Sequence, residues 1–277
     1  MHGLGNDFVI IDERNSPMQL VSIEQREEVV RNIANRTTGV GCDQLIVLRA
    51  SGRADAYMQI YNADGSEVGA CGNATRCVAW SLMKEKRADA ALIDTEAGLL
   101  EAQLAGKGLV KVNMGLPRLN WDEIPLAERE DTLHVALEAG VLHDPVCVSM
   151  GNPHAVFFVD EVGAVPLKKL GPVLEEHDIF PERANIGVAQ IDADDHITLR
   201  VWERGVGETQ ACGTGACAAM VAARRRGEVD TTVTVQLLGG ELTIEWKGTE
   251  ADPEHPVWMT GPVAHSFSGT LGEDQWV

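Results

Sequence analysis

Ala70-Cys71-Gly72-Asn73-Ala74-Thr75-Arg76-Cys77 and Ala211-Cys212-Gly213-Thr214-Gly215-Ala216-Cys217 are two versions of one phrase. Each sets Ala-Cys-Gly and a residue of helix-capping type before a run of small residues. The match continues upstream. Tyr61 and Trp202 each lie ten residues before the first cysteine, Ile60 and Val201 precede them, and Glu67 and Glu208 each fall four before it. Coincidences at one fixed offset read as an internal duplication, so two halves are expected, each offering one cysteine.

The chain has 277 residues, enough for one large domain or two ordinary ones. Its 42 acidic side chains outnumber 23 basic ones, a formal charge of −19. Such a surface repels phosphate backbones and anionic lipid, so neither nucleic acid nor membrane is expected as a partner. An anionic small molecule remains admissible, because local backbone dipoles overrule a global field. No apolar run approaches the roughly 18 residues of a membrane span. Met1-His2-Gly3-Leu4-Gly5-Asn6-Asp7 lacks the basic and apolar regions of a signal peptide. The expected place is the cytoplasm, where six cysteines are free thiols rather than a disulfide framework.

Along the chain, 3–12 reads as a loop feeding a buried strand, and 150–160 has the same plan. Residues 23–35 carry a helix pattern, and strand-like pieces follow at 44–48, 57–61, 91–95, 99–104 and 109–114. The second half repeats the order of short strands, a helix after Cys-Gly, and more strands. Gly239-Gly240 predicts a two-residue hairpin turn. Many strands and few helices point to an α+β fold with mostly antiparallel sheet. The expected division is 1–115, 116–262 and a tail at 263–277 that returns to the first half.

Asn73 and Thr214 are good N-caps for the two small-residue helices. The second helix is apolar on nearly all sides until Arg224-Arg225-Arg226-Gly227, and so is expected to be buried. A cysteine just before a helix N-terminus has its thiolate stabilised by backbone N–H groups, and the same groups bind a carboxylate. Two such openings set a sulfur on either side of one carbon, as a two-base racemase or epimerase requires. Cys42, Cys77, Cys147 and Cys217 read as buried structural residues. A zinc knuckle is disfavoured by unequal Cys spacing. Cys–His acyl transfer through His154 leaves the second cysteine unexplained. Taken singly, Asn6, Asn62 and Asn185 are turn formers, Glu203 and Arg204 a solvated ion pair, and His154 a loop histidine.

Six motifs in order change that. They are His2–Phe8, Gly41-Cys42-Asp43-Gln44, Tyr61–Glu67, Met150–His154, Pro181–Asn185 and Glu203–Gly213. On these the chain closely resembles the diaminopimelate epimerases, almost end to end. The resemblance implies a cofactor-free isomerase interconverting L,L- and meso-diaminopimelate, serving lysine and peptidoglycan synthesis and often dimeric. By that likeness Cys71 and Cys212 are the acid/base pair. Gly72, Asn73, Gly213 and Thr214 hold the reacting carboxylate. Asn6, Gln44, Asn62, Asn152, Asn185, Glu203 and Arg204 contact substrate, and Glu203 and His154 tune the thiols. A thiolate with a pKa somewhat below ~8.5 is a weak base for an α-proton, so a dry, closing site is expected.

The family usually carries a few residues before its Met-His-Gly-Leu-Gly motif, so the expectation is either a start-site error or a shortened first edge strand. Position 74 is Ala where Gly is common, which leaves less room beside the substrate without loss of activity. The combined expectation is α+β: two duplicated, pseudo-symmetric halves, each a mostly antiparallel, barrel-like sheet around a buried central helix. The alternatives are a proline or hydroxyproline racemase of the same architecture, and a non-catalytic thiol or metal-binding protein.

Overall fold

Apolar runs such as Val9-Ile10-Ile11 and Leu45-Ile46-Val47-Leu48 become strands in a computed structural model that describes residues 1–15, 23–69 and 71–271. The chain divides into two compact units. One takes the described residues of Met1–Val112 and Gly261–Val277, the other Asn113–Thr260. Ala70, the side chain of Ile23 and the tail beyond 271 lie outside the described residues.

The first unit runs β1 (His2–Gly3), β2 (Asn6–Asp12), α1 (Ile23–Ala34), β3 (Gln44–Arg49), β4 (Ala56–Asn62), β5 (Glu67–Val68), α2 (Gly72–Lys86), β6 (Ala90–Thr95), β7 (Gly98–Gly106) and β8 (Leu109–Asn113). The second runs β9 (Glu138–Ala139), β10 (Leu142–His143), β11 (Val146–Ser149), β12 (Pro153–Phe158), α3 (Leu167–Glu175), β13 (Asn185–Ala193), β14 (His196–Glu203), β15 (Gly207–Glu208), α4 (Gly213–Arg225), β16 (Thr232–Leu237) and β17 (Gly240–Glu245). β18 (Trp258–Pro262) closes it.

Each unit repeats one pairing scheme. β2–β3 and β4–β6 are parallel in the first, while β1–β2, β3–β4, β4–β5, β6–β7 and β7–β8 are antiparallel. In the second, β12–β13 and β14–β16 are parallel, and β11–β12, β13–β14, β14–β15, β16–β17 and β17–β18 antiparallel. The duplication reaches single residues, for Tyr61 pairs with Glu67 and Trp202 with Glu208. Gln59 then meets Glu67 at 2.7 Å, and Arg200 meets Glu208 at 2.8 Å. A diagonal cross-strand pair thus explains why an acid recurs four residues before each cysteine.

Within each unit the strands pack round the helix: α2 touches β1, β2, β6 and β7, and α4 touches six strands from β11 to β17. In α4 all residues but Thr214 and Arg224 are buried. Met220 and Val221 are fully so, each contributing roughly 1.5–3 kcal/mol. The helix therefore forms by burial rather than by amphipathic patterning. Gly227, with φ 76°, ends it. The hairpin after β16 turns on Leu238-Gly239 rather than Gly239-Gly240, because Leu237 pairs with Gly240. Gly240 takes a φ of 132°, which few other residues adopt.

Candidate active site

Both helices start at the cysteine itself. The sequence places the caps at Asn73 and Thr214, but Cys71 and Cys212 hold that position in extended backbone. Their carbonyls accept from Thr75 N–H at 2.9 Å and from Ala216 N–H at 3.0 Å, which opens each i to i+4 ladder two residues early. Asn73 and Thr214 are thereby inside the first turn, and their side chains point to other partners.

In the first unit, Cys71 is half-buried, with its sulfur 4.0 Å from Asn6 Oδ1. Asn73 Nδ2 donates to the same oxygen at 3.3 Å, and the buried Arg76 donates to Asn73 Oδ1 at 2.8 Å. Asn6 Nδ2 donates to Asp43 Oδ2 at 3.0 Å. Register sets Gln44 opposite Asn62, and their side chains bond at 3.0 Å. Asn62 also donates to Ser66 Oγ at 3.1 Å, so it is both turn former and polar wall.

In the second unit, Cys212 is buried, 3.6 Å from Thr214 Oγ1. Asn152 Nδ2 donates to that hydroxyl at 3.3 Å, and Asn152 Oδ1 meets His154 Nε2 at 3.0 Å. Thr209 donates to Glu203, whose carboxylate is a charged neighbour of the Cys212 thiol. Asn185 donates to Pro153 O at 2.9 Å and accepts from Arg204 N–H at 2.9 Å. Arg204 reaches the Glu182 carbonyl at 2.8 Å, so it and Glu203 serve separate partners rather than one solvated ion pair.

The electrostatics correct one expectation. Burial, then the neighbouring Glu203 carboxylate, pushes the Cys212 thiol well above its usual range. The Thr214 hydroxyl and Gly215 N–H pull the other way and lose. The helix N-terminus therefore does not by itself hold a thiolate here. Burial raises Glu203 as well, and burial, then Arg204, lowers His154 to about 3. Cys212 rests as a thiol beside Glu203, and His154 is a neutral imidazole held on Asn152. Burial raises Cys42 to about 11 and Cys77 and Cys147 to about 12, as inert core thiols should be. Cys217 is also fully buried.

Four side chains were not singled out from the sequence: Asp43, Arg76, Thr209 and Glu175. Arg76 had a signal, a guanidinium inside a run of small residues. Glu175 had none, since only the fold brings its buried carboxylate to Trp202 Nε1 at 2.7 Å and Gly205 N–H at 2.8 Å, bracketing Glu203 and Arg204. Among the described residues, no group of three or more His, Cys, Asp or Glu is placed to hold a metal ion.

This fold has known counterparts. A probable proline racemase from Agrobacterium radiobacter K84, solved with bound carbonate, superposes with a TM-score of 0.67 over 99% of this chain and 96% of its own, at 16% identity. The class is that of the racemase-like α+β folds. The diaminopimelate epimerase family model matches residues 1–120 and 146–266. Diaminopimelate epimerases of Rhodospirillum centenum and Phenylobacterium zucineum are each 53% identical, covering 99% and 98% of this chain and 91% and 96% of their own. The chain belongs to the diaminopimelate epimerase family and is an isomerase.

Proposed function

We propose that this isomerase interconverts L,L- and meso-diaminopimelate, a step of lysine and peptidoglycan synthesis, with Cys71 and Cys212 as a two-thiol acid/base pair. One thiolate removes the α-proton and becomes a thiol. The opposite thiol gives its proton to the other face of the carbanion and becomes a thiolate, so no cofactor is consumed and no bond to carbon is needed. The observation that carries the reading is that each unit caps its buried helix with a cysteine at the same place in the same strand scheme.

Supporting roles follow from the chemistry at each residue. First-turn N–H groups of Gly72, Asn73, Gly213 and Thr214 suit the reacting carboxylate, whose charge grows as the carbanion forms. Glu203 is the group that takes the Cys212 proton, and buried, neutral His154 keeps Asn152 oriented. Gln44, Asn62, Asn185 and Arg204 suit the distal ammonium and carboxylate, which distinguish one stereocentre from the other. Reduced thiols are required, which favours a cytoplasmic enzyme, and we take it to be a homodimer, as light scattering would check.

The test is proton exchange. With L,L-diaminopimelate in heavy water and no pyridoxal phosphate, the protein incorporates α-deuterium and forms meso product. Cys71→Ala and Cys212→Ala each abolish both. Exchange on proline instead would move the chain to the racemases its fold resembles.

A further inference from the structure

Resting on that reading, we propose that Asp43 and Arg76 are positioning residues that lock the amides of Asn6 and Asn73 in one orientation beside Cys71. The oxygen and nitrogen of an amide differ only in what they accept or donate, so their partners decide which way each points. At one end of this row Arg76 Nη2 lies 2.8 Å from Asn73, and a guanidinium has only protons to offer. Asn73 must show it an oxygen, which turns Nδ2 toward Asn6 at 3.3 Å. At the other end Asn6 faces Asp43 Oδ2 at 3.0 Å. That oxygen also accepts the Asp7 N–H at 3.0 Å, and Arg36 holds the other oxygen of the carboxylate at 2.7 Å. An ionised carboxylate only accepts, so Asn6 must show it nitrogen.

The two charged ends demand the same arrangement, and each supplies only part of the bias that imposes it. Its consequence falls on the sulfur. Asn6 presents its oxygen to Cys71, which accepts from an S–H and favours the thiol over the thiolate. With the row reversed, Asn6 would offer Cys71 a donor and hold the sulfur as a thiolate. Asp43 and Arg76 thus set which atom of Asn6 faces the Cys71 sulfur.

Asp43→Ala, Asp43→Asn, Arg76→Met, Arg76→Lys and the double variant Asp43→Ala/Arg76→Met test this through kcat, KM and thermal melting. Each loss variant should lower kcat about tenfold, the weight of one hydrogen bond to a charged group, with KM for diaminopimelate held within about threefold. Asp43→Asn keeps an acceptor and Arg76→Lys a donor, so both should recover most of kcat. The double variant should fall below the product of the singles, because in each single the remaining anchor still biases the row and in the double nothing does. Purely multiplicative losses, or Asp43→Asn as slow as Asp43→Ala, would overturn the proposal. If Arg76→Met fails to fold, the half-exposed Asp43 pair decides alone. Wild-type epimerisation lost in Cys71→Ala but kept in full by Asp43→Ala would sink this inference and leave the two-thiol reading standing.

Discussion

At the scale of residues, burial and one neighbour outweigh the helix dipole at Cys212. Removing the Glu203 charge should therefore lower that thiol's pKa even as it costs activity. In a Cys71→Ala background, alkylation of Cys212 followed against pH should shift to lower pH in Glu203→Gln; an unmoved profile would mean burial acts alone. His154 carries a second pH effect. Its folded pKa of about 3 lies below the ordinary 6.5, so between those values the unfolded chain binds the extra proton. Its contribution to stability is therefore complete above about pH 6.5 and is lost as pH falls toward 3. Urea midpoints at pH 7 and pH 5 should lie closer together in His154→Gln than in the parent, once the parent's other titrations are subtracted.

At the scale of elements, the third residue after each cysteine differs between the two helix openings by one methyl group. These residues are Ala74, which is buried, and Gly215. A Cβ on Gly215 would meet Val201 Cγ2 at 3.0 Å and the Cys212 sulfur at 3.2 Å. Gly215→Ala should lower the melting temperature despite the better helix propensity of Ala, by an overpacking cost of about 1 kcal/mol or more, and should slow turnover. Ala74→Gly should leave the rate nearly unchanged. A harsher case is Gly171 in α3, where a Cβ would come within 2.6 Å of the Trp202 indole. Gly171→Ala should dislodge Trp202 from Glu175, seen as altered indole fluorescence, and raise KM through Glu203 and Arg204. An unaltered spectrum would refute that coupling.

At the scale of the whole molecule, a charge of −19 makes self-repulsion a standing cost. Melting temperature should rise with sodium chloride until screening is complete. A fall would show that surface ion pairs such as Arg53–Asp94 outweigh repulsion. The duplicated pairing scheme also gives each unit its own parallel strand pairs, and the contacts of Cys71 with Asn6 and of Cys212 with Thr214 each lie inside one unit.

The duplication, the buried character of α4 and the two cysteines that turn out to cap α2 and α4 were legible in the sequence. Period, composition and fixed offsets are local properties that survive in a string of letters. It misplaced the helix caps by two residues and the hairpin turn by one. Cap and turn positions depend on which carbonyl and which strand partner win, and near-equivalent choices lie one or two residues apart. That Cys212 rests protonated beside Glu203, that His154 is neutral, and that Asp43 and Arg76 hold Asn6 and Asn73 while Glu175 holds Trp202 and Gly205 came from the fold. Desolvation and partner geometry are set by side chains far apart in the chain, and no spacing rule records them.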